Sequence, residues 1–163
     1  IMAGYGTDAE FAAWLADNGY VLPVGAPSVA VLRQRGAAYI DAMYGPRFTG
    51  LPSGGLNQDL AWPRTGATAF GQGLATDLIP KRVEQAGYQA AWIEATNPGS
   101  LSAVASGPAI KRERVEGAVE VEYAVSDKTD TLSAAQTVSS AIEGLLAPLL
   151  VPDTGFLPAI LVV

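Results

Sequence analysis

The amino-acid sequence predicts a mainly α domain: a four-helix core with one long ordered loop and one β-hairpin. Three observations carry this. Apolar residues recur at three- and four-residue spacing in four separate stretches, the period of a helix with one buried face. Strict apolar/polar alternation, the period of a strand, appears in one place only, near the middle of the second half. Between the second and third helical stretches, from Arg47 to about Thr76, the chain is dense in Gly, Pro, Thr and Ser but studded with aromatic residues. The length of 163 residues suits one domain with a real core. The expected division is a single helical domain over 1–152, with its hairpin at about 108–125, and an apolar tail over 153–163.

The first helix opens on Thr7-Asp8-Ala9-Glu10, a capping box in which Thr7 accepts from the N–H three residues on and Glu10 reaches back. Phe11, Trp14 and Leu15 share a face, so the helix runs to about Asp17, and Asn18-Gly19 is a left-handed stop. After a linker from Pro23 to Pro27, the second helix starts near Ser28. Val29, Leu32, Gly36, Tyr39/Ile40 and Met43 form its buried stripe, and Gly45-Pro46 ends it. Gly36 costs up to about 1 kcal/mol relative to Ala in a helix interior, so an inward-facing glycine there implies close approach of another helix.

Along the loop, Phe48, Leu51, Leu60, Trp62 and Phe70 recur, which implies that it is pinned to the core. A loop of this length inside a compact domain is otherwise functional or disordered. Trp62, preceding Pro63, is expected to be extended. The third helix spans roughly Pro80 to Ala95 with Ile79, Val83, Ala86/Gly87, Ala90 and Ile93 on one side, and Asn97-Pro98-Gly99 stops it. Beyond a Ser/Ala/Gly linker, Ala109–Val115 and AVEVEYAV form the hairpin around Glu116-Gly117, with Val119, Val121 and Tyr123 on one face. Two isolated strands are marginal in water, so this face must pack on helices or on a neighbouring copy. The last helix runs from about Ser133 to Leu146 with Val138, Ile142, Leu145 and Leu149 aligned.

Composition narrows the function. There is no cysteine and no histidine, which removes thiolate chemistry, Cys/His zinc sites and His-based acid–base catalysis from the chain itself. Net charge is −6 and the pI about 4.5, a poor start for gripping phosphates and a suitable one for a surface that DNA slides past. Charged residues are only 16% and mean hydropathy is +0.22, so either some apolar surface is covered by other subunits or an Ala-rich composition raises hydropathy without forming patches. No run reaches membrane-spanning length, and the first ten residues lack a basic-then-apolar signal pattern.

No pattern marks a catalytic centre. Gly4-Tyr5-Gly6 and Ser53-Gly54-Gly55 lack the spacing of a phosphate loop, and no serine sits in a G-x-S-x-G elbow. Glu113, Glu116, Glu120 and Glu122 face Lys111, Arg112 and Arg114 across the hairpin, where cross-strand pairing accounts for them better than a metal does. The expectation is therefore a non-enzyme with no catalytic residue, cofactor or metal. Two binding candidates remain. Tyr44, Phe48, Trp62 and Arg64, with Tyr39, would make a stacking platform for single-stranded nucleic acid, although aromatics at helical spacing more often form core. The tail residues Phe156, Leu157, Ile160, Leu161, Val162 and Val163 follow two prolines and suit insertion into a partner's groove or addition to a sheet edge, the alternative being that they fold back onto the chain's own core. Leu51 and Leu56 on the loop and Val119, Val121 and Tyr123 on the hairpin are the expected subunit contacts.

The ordered set AYIDAMYGPRFTG (from Ala38), LAWPRTGA (from Leu60) and IPKRVEQAGYQAAW (from Ile79) resembles a family of small tailed-phage proteins described as DnaT-like and associated with single-strand DNA binding. The later segment is similar to head–tail connector (adaptor, or head-completion) proteins of long-tailed phages. The matching positions are Ile110, Lys111, Glu113 and Val115, then Gly117, then Val121 and Tyr123. The two resemblances run from about Gly6 to Val125; beyond that no motif matches. They imply a ring, commonly of about twelve copies, beneath the portal protein in the virion neck. Such a ring extends the DNA channel without specific DNA binding, meets the next neck protein and is assembled in the host cytoplasm. No membrane partner is implied. Gene transfer agents carry proteins of similar sequence shape.

Overall fold

The structure, a computed structural model, describes residues 4–102 and 140–152. It is mainly α with minor β, as the periodicities predict. In chain order it contains α1 (Asp8–Asp17), α2 (Val29–Tyr44), the two-residue strands β1 (Leu51–Pro52), β2 (Arg64–Thr65), β3 (Thr68–Ala69) and β4 (Gln72–Gly73), and α3 (Lys81–Thr96). Residues 140–146 are helical and run into a 3-10 turn, Ala147–Leu149. The expected hairpin with Val119, Val121 and Tyr123, the tail with Phe156, Leu157, Ile160, Leu161, Val162 and Val163, and Val138 lie outside the described residues.

The capping box forms as the sequence requires: Glu10 N donates to Thr7 Oγ1 at 3.2 Å and Thr7 N donates to Glu10 Oε2 at 2.8 Å. Helix α1 buries Phe11 and Leu15, and Gly19, at φ +69°, turns the chain away. Ser28 caps α2 by accepting from Val31 N at 3.4 Å.

Helices α2 and α3 pack antiparallel. A Cβ on Gly36 would stand 2.2 Å from Gly87 O and 2.9 Å from Ala91 N, closer than any side chain allows, so glycine is what lets the backbones meet. One turn from this contact, Arg35 pairs with Glu94 at 3.2 Å, and the other Glu94 oxygen accepts from Gly99 N at 3.2 Å, tying the turn after α3 to the helix. The stripe on α2 departs from expectation at its end. Ile40 and Tyr44 are buried while Met43 is exposed, because the following loop folds back on the Tyr44 side of the last turn.

Two clusters of buried residues divide the interior. Phe11, Leu15, Leu32, Tyr88, Ala91 and Ala95 fill the end where α2 begins and α3 finishes. Ile40, Tyr44, Phe48, Trp62, Val83 and Ala90 belong to the other, which Ile142, Leu146 and Leu149 complete. The last segment is held there by main-chain bonds, Thr49 N to Leu149 O at 3.0 Å and Val151 N to Arg47 O at 2.7 Å.

Candidate functional site: the loop between the second and third helices

The loop is not structureless. Strand β1 pairs antiparallel with β2, and β3 with β4, so the excursion is folded twice on itself. Its pins are fewer than the apolar residues suggest. Phe48 and Trp62 are buried with their rings 5.5 Å apart, edge to face, and Leu60 is partly covered. Leu51 and Phe70 stand in solvent at 74% and 77% exposure. Both lie on two-residue strands or turns too short to fold a side chain back onto the helices.

Arg64 organises the base of the loop. Its guanidinium donates to four backbone carbonyls: Thr49 O at 2.9 Å, Gly50 O at 2.7 Å, Ala61 O at 3.2 Å and Phe48 O at 3.4 Å. It lies 5.9 Å from the Phe48 ring centre. Irregular backbone that turns inward exposes carbonyls with no ladder partner, and a planar group with five donors can satisfy several at once. Gly50, at φ +71°, makes the approach possible: a Cβ there would lie 2.5 Å from Thr65 O and from Ala67 N. Hydroxyls tie the strands further, Thr49 Oγ1 to Thr68 O at 3.0 Å and Ser53 Oγ to Thr76 O at 2.7 Å.

A second polar group joins the loop to the helices. Asp41 on α2 accepts from Ala61 N at 2.9 Å and from the Tyr5 hydroxyl, and that hydroxyl accepts from Trp62 N at 3.3 Å. Burial raises the Asp41 carboxyl above the usual aspartate range, while the bonds from Tyr5 and Ala61 and the charge of Arg64 pull it back. Burial, with Asp41 beside it, pushes the Tyr5 hydroxyl far above the ordinary tyrosine range. Arg64 is lowered by burial and supported by its neighbours Tyr5 and Asp41. The Trp62–Pro63 peptide bond is cis.

Of the stacking-platform candidates, Tyr44, Phe48, Trp62 and Arg64 come together and all four are buried. The bland alternative, aromatics as core, is the arrangement found. Leu51 and Leu56 lie on the outside of the loop, Leu56 fully exposed.

Sequence reasoning missed Tyr5, Asp41 and Arg33. Arg33 donates to the carbonyls of Gly4, Tyr5 and Gly6 and pairs with Asp8 at 2.7 Å. Nothing in the spacing of these residues links them, because the link is made by the fold. Also missed was Phe70 at φ +51°, followed by Gly71 at φ +76°, at the turn between β3 and β4. The Arg82 guanidinium lies 5.8 Å from its ring centre. A bulky residue with positive φ is uncommon, and an exposed one more so. Among the described residues no group of three or more acidic side chains could hold a metal ion, and no helix is long and apolar enough to cross a membrane.

The fold and the loop define a helical scaffold with an arginine-pinned excursion at one end. Over residues 3–160 the chain matches the model of the family described as "Putative DnaT-like ssDNA binding protein", and it belongs to that family. No curated protein and no solved structure matches it.

Proposed function

We propose that the chain is a structural subunit of a head–tail connector (adaptor). It forms a ring of about twelve copies beneath the portal protein in the neck of a tailed phage or phage-like particle. The ring extends the DNA channel and meets the next neck protein; the subunit is not an enzyme. One observation carries this reading. Tyr44, Phe48, Trp62 and Arg64 are consumed by the protein's own fold, while the loop's outer turns hold Leu51 and Leu56 in solvent. The basic residues support it too. Among the described residues Arg33, Arg35 and Arg47 pair with carboxylates and Arg64 is buried, which leaves Lys81 and Arg82 to neutralise a phosphate backbone. The motif resemblance supplies the ring and its place in the neck.

Co-purification with the portal protein tests it. Intact protein is expected to be captured, and protein lacking residues 153–163 to be captured less. Equal capture would remove the tail from the contact; no capture of either would defeat the reading. Electron microscopy of the complex would report the ring and its copy number directly.

The description of the family favours a second reading, a single-stranded DNA-binding module. Its site would not be the buried quartet but the exposed Phe70 with Arg82. Titration of a fluorescent oligonucleotide at low salt decides, because backbone attraction is strongest there; absence of binding ends this reading.

A further inference from the structure

Exposed apolar side chains gather at two places, at opposite ends of the α2/α3 pair. Each helix has 16 residues and so spans about 24 Å. The contacts Gly36–Gly87 and Arg35–Glu94 run the helices antiparallel, which puts the loop after α2 and the linker before α2 at different ends. The loop end shows Leu51, Leu56 and Phe70, with Arg82 over the Phe70 ring. The linker end shows Val21 and Val24, the latter fully exposed. Beside them lies a half-buried aromatic surface: Tyr20 stacks on Trp92 at 4.6 Å with the rings 3° apart, and Trp14 tilts against Tyr20 at 5.6 Å.

The two surfaces differ, and they complement each other. Arg82 is exposed and donates to Leu145 O at 3.4 Å, and indole and phenol faces are further partners that a guanidinium favours. Asp17 ends α1, close in sequence to the linker valines, and pairs with no basic group among the described residues, so a charge opposite in sign to Arg82 borders the aromatic surface. Asp59, Asp77 and Lys81 also lie at the loop end, so the complementarity is that of one pair, Arg82 and Asp17. A contact between two different patches on identical chains is heterologous, the kind that propagates head to tail and closes into rings.

We infer that the Phe70–Arg82 turn of one copy docks on the Trp14–Tyr20–Trp92 surface of the next, with Val21 and Val24 at its rim. This rests on the ring reading above and names the surfaces that build it.

Two variants test it, Phe70→Asp, which blocks the turn, and Val24→Asp, which blocks the receiving surface. Sedimentation velocity is read for each alone and for an equimolar mixture. Wild type is expected to assemble. Each variant alone is expected to stay monomeric at ten times the concentration at which wild type assembles. Their mixture is expected to give a dimer and nothing larger, because one unblocked turn still meets one unblocked surface. Asp17→Arg and Arg82→Glu should each weaken assembly and, combined in one chain, restore it.

A variant that assembles like wild type, or a mixture that stays monomeric, overturns the contact while leaving the ring reading intact. Wild type that is monomeric throughout defeats both. A melting temperature lower in either variant than in wild type, compared at a concentration where both are monomeric, would show that the chain itself covers that face, and loss of oligonucleotide binding in Phe70→Asp would show a nucleic-acid occupant; each overturns the inference.

Discussion

Replacing Arg64 by alanine removes four charge-assisted bonds at one stroke and leaves the carbonyls of Phe48, Thr49, Gly50 and Ala61 without their donor. Each bond to a charged group contributes about 1.5–3 kcal/mol, but bonds that share one donor group do not add. Three of the four are only partly buried, so water can enter once the side chain is gone; the bond to Phe48 O is fully buried. The expected loss is therefore about 3–5 kcal/mol, the scale on which removing one member of a buried charged group destabilises a protein. For a domain of this size that corresponds to roughly 6–20 °C in melting temperature. Urea unfolding followed by far-UV circular dichroism measures it. Arg64→Lys should recover about half, since an ammonium cannot reach four carbonyls in a plane. A loss below about 1 kcal/mol for alanine, or full recovery with lysine, would refute the claim that Arg64 holds the loop base.

Three further outcomes are expected. Gly36→Ala should cost about 2 kcal/mol despite alanine's better helix propensity, because the new methyl meets backbone atoms of α3 that cannot swing aside; thermal unfolding reports it. Thr7→Ala should cost about 1 kcal/mol through loss of the cap, visible as a melting temperature lower by about 2–4 °C. Stability should also fall in alkali. Burial holds the protons of Tyr5 and Tyr88 beyond the ordinary tyrosine range, Tyr88 up to about 12. From about pH 10 upward the unfolded chain therefore binds fewer protons than the folded one, and stability falls with rising pH by up to about 1.4 kcal/mol per unit for each group. Tyr5→Phe should give a shallower decline above pH 10; an unchanged slope would show that Tyr5 does not retain its proton there.

Local chemistry was legible in the sequence wherever a few neighbouring residues determine it. The Thr7–Glu10 box, the Gly19 stop, the inward Gly36 and the Asn97-Pro98-Gly99 ending each depend on contacts within a turn or on one glycine. The site was legible only as a segment. That Phe48 and Trp62 anchor the loop follows from their being large and apolar, but Leu51 and Phe70 have the same chemistry and lie in solvent. What separates them is where each falls on the folded path, Leu51 on the outside of β1 and Phe70 at the β3–β4 turn, and that is set by the pairing of the strands rather than by composition. The role of Arg64 was not legible for a related reason. A cation among aromatics suggests a ligand, yet the same group serves equally well for carbonyls that a turning backbone leaves unpaired, and only the path of residues 48–50 shows which.

The clamp at the loop base separates the length of the excursion from its stability. Arg64 and the β1–β2 pairing close the chain at both ends of the segment running from about Ser53 to Pro63. Its outer turn, residues 53–57, is exposed and contributes little to the core, and doubling a flexible loop's length costs only about 0.6 kcal/mol. A peptide tag inserted at Gly54–Gly55 should therefore leave folding nearly intact, and its antibody would mark the outer rim of each subunit in an electron micrograph. The same tolerance gives evolution a place to change what the end of the molecule touches without re-solving how it folds.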